Sequence, residues 1–210
     1  MAQPPSHYRR IVEARLAPGS DPRLRGGGLA PLPANLREHI FRAREVAMEL
    51  ARRHGLDEER VWLAISGHDI ARVTPPKRLL AEARRLGLSI GPVEEALPLL
   101  LHGPVAAETL RRDGLDDGEV YDAVFWHSTA HPSLGPVGLA VFLADKLDPE
   151  KAYRYPYLAE LKTLALESLE RAALDFLERE MAALLREGVL VHPASLEARN
   201  ALLLRLKPLS

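Results

Sequence analysis

The segment PVGLAVFLADKL at residues 136–147 decides the fold class. Its leading proline suits the first position of a helix. The apolar side chains that follow cover nearly every face instead of one stripe, which is the pattern of a helix buried on most sides. Only Asp145 and Lys146 interrupt it. A helix of this kind needs a jacket of amphipathic neighbours, and the sequence on either side supplies them. From Asn35 to Lys207 no period-two alternation is sustained, so strands are not expected.

Caps and breakers divide that stretch into elements. Asn35 followed by Glu38 resembles a capping box and Gly55 a stop, which predicts a helix over Leu36 to His54. Asp57 is placed to cap the next, with Val61, Ala64, Ile65 and His68 on one face. Thr74-Pro75 predicts a third helix with Thr74 as cap, closed by Gly87. Gly91-Pro92 and Gly103-Pro104 predict two more, and Asp116 with Glu119 another that reaches Trp126 or His127. A long amphipathic helix is expected from Pro156 to Gly188, and a last one from Pro193 to about Leu206. The first 33 residues hold six of the 17 prolines and a Gly26–Gly28 run. They read as an irregular N-terminal arm with a short helix near His7 to Ala17, and residues 34–210 as one all-α domain.

Composition narrows the function classes. The 210 residues carry 28 Lys plus Arg against 29 Asp plus Glu, a net charge of −1, which argues against a global basic grip on nucleic acid or an anionic membrane. With 47% hydrophobic residues and no cysteine, a sizeable core is available, while disulfides, thiolate metal sites and a cysteine nucleophile are excluded. The opening MAQPPSHYRR lacks the apolar core of a signal peptide and no run approaches a membrane span, so a cytoplasmic protein is expected. Arg supplies 23 of the 28 cations, a bias shared by heat-adapted proteins and GC-rich genomes.

The chemistry lies where polar residues occupy apolar positions. His39 shares a helical face with Ala43, Val46 and Leu50. His68-Asp69, His102 and His127 each end an apolar run, and Asp145 sits in the most hydrophobic helix. A lone histidine at a helix end is most often a cap or a hydrogen-bonded core residue, and Asp145 alone could pair with a buried arginine. Gathered in one core, imidazoles and carboxylates are what divalent cations require, since each neutralises the cost of burying the other.

Taken in order, His39, SGHDIAR at 66–72, LLHGPVAAETL at 100–110, FWHST at 125–129 and LADKLDPEK at 143–151 resemble an HD-domain phosphohydrolase. More narrowly they resemble the bacterial YqeK family of symmetrical bis(5'-nucleosyl)-tetraphosphatases. YPYLAELKTLALESLE at 155–170 and LVHPASLEARNALL at 190–203 extend the likeness to the tail, so it covers the chain from about Pro33 onward. The resemblance implies an HD-domain helical bundle with a long C-terminal helix. It also implies two divalent metal ions, iron in that family, with manganese or magnesium as other candidates. His39, His68, Asp69 and Asp145 would hold one ion, and Asp69 would bridge to a second held by His102 and His127. The reaction implied is hydrolysis of diadenosine tetraphosphate to two ADP by a metal-activated water, with Asp69 and Arg72 as catalytic residues. Arg72, Thr129, Lys146 and Lys151 would contact the substrate. Its partner is then a small nucleotide, without nucleic acid or membrane, and a homodimer is left open.

Some positions depart from the family pattern. Ser128-Thr129-Ala130-His131-Pro132 replaces a Thr-Thr-Gly-like turn, which removes glycine's positive-φ freedom and adds His131 as an extra ligand or gate. Arg72 replaces a usual lysine, Ile40 a small hydroxyl residue and Asp148 a glutamate. These changes bear on specificity and leave two alternatives: an HD nucleotidase or phosphodiesterase acting on another nucleotide, and a non-catalytic metal- and nucleotide-binding helical protein. His7, His54 and His192 read as structural or surface residues.

Overall fold

A computed structural model describes residues 7–17 and 32–206. Its elements are α1 (His7–Leu16), α2 (Ala34–His54), α3 (Glu58–Gly67), α4 (Pro76–Leu86) and α5 (Pro92–Ala96), then a 3-10 turn Pro98–Leu101. They continue with α6 (His102–Arg112), α7 (Gly118–Trp126), α8 (Pro136–Lys146), a 3-10 turn Pro149–Lys151, α9 (Leu158–Glu167), α10 (Leu169–Arg186) and α11 (Pro193–Leu206). Among the described residues there is no strand, and no helix is long and apolar enough to cross a membrane.

As its composition predicts, α8 is the axis. Every residue from Val137 to Lys146 is buried, and α2, α3, α7 and α10 pack around it. The helix ends follow local chemistry. Asp57 accepts hydrogen bonds from the Glu59 and Arg60 amides, satisfying donors left over at the start of α3. Gly55 closes α2 with φ 63°, its amide bonded to the Ala51 carbonyl, a conformation that glycine reaches without strain.

Four expected boundaries are corrected. Pro33, not Asn35, precedes α2, and no side chain caps it. Pro75 is the residue before α4, which leaves Thr74 one position too early to cap; its buried hydroxyl has no hydrogen-bond partner. Asp117, not Asp116, caps α7 by accepting from Glu119 and Val120. Gly103-Pro104 lies inside the first turn of α6, which begins at His102 after the 3-10 turn. The long C-terminal helix is also two helices. Ser168 is extended (φ −156°, ψ 114°) and its hydroxyl accepts from the Arg171 amide, so the chain ends α9 and recaps α10 at one residue.

The short helix expected near His7 is α1. It buries Val12 and is tied to the bundle by Arg9–Glu59 at 2.6 Å and Arg15–Asp113 at 2.6 Å. Apart from Ala17, Leu32 and Pro33, the rest of the expected arm lies outside the described residues.

Candidate metal centre

Three imidazoles are aimed by one repeated local bond. His68 directly follows α3, His102 opens α6 and His127 directly follows α7. Each Nδ1 donates to the carbonyl three residues earlier: Ile65 at 2.6 Å, Leu99, and Val124 at 2.7 Å. Donation from Nδ1 leaves each Nε2 free to take a cation or a proton. Those Nε2 atoms converge. His102 Nε2 lies 2.9 Å from His127 Nε2 and 3.0 Å from Asp69 Oδ1, and His127 Nε2 lies 3.6 Å from the same oxygen. His68 Nε2 stands 3.5 Å from Asp69 Oδ2 and 3.7 Å from Asp145 Oδ1.

Gly103 makes this convergence possible. A Cβ at that position would meet the Phe125 carbonyl at 2.8 Å and the His127 ring at 3.0 Å. Only a residue without a side chain lets the start of α6 come this close to the end of α7.

His39, in the second turn of α2, is aimed differently. Its Nδ1 donates to Asp148 at 2.6 Å while Nε2 faces Asp145 at 3.1 Å and Asp69 at 3.7 Å. Arg42 holds Asp148 through two bonds of 2.7 and 3.0 Å, so a carboxylate orients the imidazole and a guanidinium orients the carboxylate. Asp145 accepts from Lys146 at 2.6 Å and from Lys151 at 2.6 Å, and Lys146 also donates to the His127 carbonyl at 3.1 Å.

This donor set fits divalent cations. Two groups, His39-His68-Asp69 and Asp69-His102-His127, each bring their ligand atoms within 4.8 Å of one another and share Asp69. His68 Nε2 is fully buried without a hydrogen-bond partner. The lone pairs of His102 and His127 point at each other, an arrangement that a cation or proton between them relieves.

The electrostatics keep the carboxylates available. Burial opposes ionisation of Asp69, but the rings of His68, His102 and His127 hold its carboxyl well below the ordinary range. Burial opposes Asp145 in the same way, and Lys146, Lys151, His39 and His68 outweigh it. Burial pushes the His127 imidazole down to about 3; Asp69 opposes this while His102 and His68 reinforce it. That ring is neutral at physiological pH, the form in which an imidazole can take a cation.

The cluster floors a cavity of about 570 Å³. Arg72, Thr129, Lys146 and Lys151 all line it beside His39, Asp69, His102, His127 and Asp145, and His68 lies beneath them. The Arg72 guanidinium has no hydrogen bond or ion pair among the described residues, its backbone amide being bonded to the Asp69 carbonyl, whereas Lys146 and Lys151 are both bonded to Asp145. His131 is corrected: it stacks on Trp126 at 4.3 Å, bonds Ser133 and stands away from the cavity, so it is neither ligand nor gate. His54 bonds the Ala165 carbonyl. His192 accepts from the Ala194 amide at the start of α11 and pairs with Glu94. Sequence reasoning missed Asp148 and Arg42 as orienting residues, and Ser128, whose hydroxyl is 3.2 Å from His127 Nε2. Asp148, three residues beyond the buried Asp145, was the available signal.

The family model described as HD domain matches residues 36–150. A symmetrical bis(5'-nucleosyl)-tetraphosphatase from Halalkalibacterium halodurans is 28% identical over 188 residues, 87% of this chain and 99% of its own. A protein of the same name from Bacillus subtilis is 26% identical, over 74% of this chain and 82% of its own. A crystal structure from Clostridium acetobutylicum, described as a predicted HD superfamily hydrolase involved in NAD metabolism, has the same fold. Its TM-score is 0.80 at 23% identity, covering 95% of this chain and 98% of that one.

Proposed function

This chain belongs to the HD-domain family of metal-dependent phosphohydrolases, and we propose that its substrate is diadenosine tetraphosphate, cut symmetrically to two ADP. The observation that carries the reading is a pair of donor groups sharing Asp69 on the floor of a cavity whose walls bring in Arg72, Lys146 and Lys151. His39, His68, Asp69 and Asp145 would hold one divalent ion, and Asp69, His102 and His127 a second, iron being the metal that the family resemblance implies. Ions there would supply Lewis-acid polarisation and an activated water.

The chain's own residues supply the rest. Asp69 is held ionised between both groups of imidazoles, as a shared ligand must be. The unpaired Arg72 presents a fork that matches two phosphate oxygens. Lys146 and Lys151 hold the buried Asp145 ionised and keep positive charge beside the phosphate chain, where charge shifts toward the leaving group. Ser128 and Thr129 line the same wall and offer hydroxyl donors. The departing ADP leaves as a phosphate anion, so cations suffice and no strong general acid is required. A purely structural metal site would have no need of an open cavity ringed by cations, which favours the enzyme over a non-catalytic binding protein.

The experiment is direct. Protein loaded with iron or manganese is incubated with diadenosine tetraphosphate and the nucleotides are resolved by chromatography. ADP as the sole product is expected. Equal ATP and AMP would make the cut asymmetrical, and turnover only of another nucleotide or phosphodiester would move the enzyme to the first alternative.

A further inference from the structure

Nine large apolar or aromatic side chains are exposed among the described residues, and five of them, Leu97, Leu99, Tyr153, Val189 and Leu190, line the one cavity above the metal centre. Isolated exposed apolar residues need no explanation, but a cluster around a single opening does. Their placement follows the row of imidazoles. Ring centroids step from His39 to His68 (5.5 Å), to His127 (4.8 Å) and to His102 (4.8 Å). Leu97 and Leu99 belong to the His102 end, because the Leu99 carbonyl is what orients His102. Tyr153 belongs to the opposite end, two residues after Lys151, which is bonded to Asp145. α10 and the chain after it join the two: Glu180 pairs with Arg154 at one end, and His192 pairs with Glu94 at the other. Leu190 therefore lies with Leu97 and Leu99.

The cavity thus presents exposed apolar or aromatic side chains beside a charged pair at each end, Arg154–Glu180 and His192–Glu94, and cations over the metal floor between them. A ligand that matches this order has a polyanionic centre and a planar, weakly polar group at each end. We infer that the two apolar ends are nucleoside subsites, Tyr153 stacking one base and Leu97, Leu99 and Leu190 holding the other. This rests on the dinucleotide reading and explains why the cut would fall in the middle: a base held at each end of the row centres the phosphate chain over Asp69. Base stacking on an aromatic platform contributes about 1–3 kcal/mol per base, enough for each subsite to alter affinity measurably.

The test uses the full chain loaded with manganese, and the probe is the diadenosine tetraphosphate analogue with a methylene group at its central bridge, with inorganic tripolyphosphate as the base-free control. Binding is measured by calorimetry for wild type, Tyr153→Ala, the double variant Leu97→Ser/Leu190→Ser, and all three changes together. Tyr153 is 88% exposed, so its removal leaves the fold intact. Each variant is expected to bind the analogue about ten-fold more weakly, with the two losses multiplying in the combined protein and tripolyphosphate affinity unchanged. Unchanged affinity for the analogue overturns the assignment and hands the apolar rim to another partner. Equal loss for tripolyphosphate overturns it too, since the rim would then act through the metal centre. Base-dependent binding without turnover of diadenosine tetraphosphate would sink the proposed reaction and keep the subsites; turnover with insensitive variants would do the reverse.

Discussion

On the His102–His127 side of Asp69 each imidazole is aimed by a backbone carbonyl, whereas on the Asp145 side His39 is aimed by a carboxylate that Arg42 holds in turn. The first side is assembled by helix ends, so its precision comes from where α6 and α7 start and stop. The second is assembled by charged side chains, so its precision depends on every member being present and ionised. His68 spans both, with a carbonyl behind its ring and Asp69 and Asp145 in front. The contrast teaches that one centre can be held by two independent supports, which should fail in different ways.

The largest effect tests whether the sides are joined at all. Asp69→Ala removes the one residue common to both donor groups, and is expected to abolish turnover and strip both ions, read as metal per chain by elemental analysis. Retention of one tightly held ion would show two separate sites. Next come substitutions that disable one side without touching a donor. Gly103→Ala drives a methyl into the Phe125 carbonyl and the His127 ring, so the His102–His127 ion should be lost preferentially. Asp148→Ala frees His39 and strands Arg42; loss of such an orienting partner costs about 10–100-fold in metal affinity or activity. Identical metal losses in the two variants would erase the distinction between the supports.

Acid sharpens the comparison in the metal-free protein. His127 titrates near 3 when folded against an ordinary 6.5, so the unfolded chain binds the extra proton throughout that window. Stability should therefore fall as pH drops from about 6.5 toward 3, with roughly 2 kcal/mol from this ring already lost by about pH 5. His68 works in the opposite sense, because its folded pKa is raised despite burial, by Asp69 and Asp145. Asp69 and Asp145, depressed when folded, add loss only below about 4. The measurement is the thermal midpoint from pH 7 to 5 for wild type and His127→Gln. The variant should show the shallower decline, and parallel slopes would assign the acid sensitivity elsewhere. A smaller change is expected at Arg72, which lines the cavity without a protein partner. Arg72→Ala should raise KM about ten-fold while metal content stays at the wild-type level, and a kinetically silent variant would remove its phosphate role.

How much of this was legible before folding divides along similar lines. The buried carboxylate in α8 and the histidines ending apolar runs could be read directly, because a polar residue at an apolar helical position is a local signal. So could the helix order, from proline and glycine punctuation. The shared i−3 carbonyl bonds could not, since they depend on where each helix starts or stops to the residue, and the opening at Gly103-Pro104 misplaces the start of α6, which lies at His102. Gly103 looked like a helix opener because its close contact with His127 lies 24 positions away in sequence. Ser168 was missed for the opposite reason: an amphipathic pattern runs unbroken through it, and only the observed extended backbone reveals the break.

The smallest expected effect concerns the loop after His127. Alanine in place of a glycine at residue 130 predicts lost access to positive φ, yet Ala130 has φ 58° and its amide bonds the Trp126 carbonyl at 2.8 Å to close α7. The turn therefore keeps the left-handed shape at a strain of about 1–2 kcal/mol, partly offset by a methyl that is buried in the core and contributes about 0.8 kcal/mol. Ala130→Gly relieves the strain and loses the methyl, so the thermal midpoint should move by only a few degrees, with metal content and KM unchanged. A changed KM in the glycine variant would mean that loop freedom tunes the substrate. Unchanged kinetics would assign any specificity of this stretch to the side chains of Ser128 and Thr129, which line the cavity whatever the backbone at residue 130 permits.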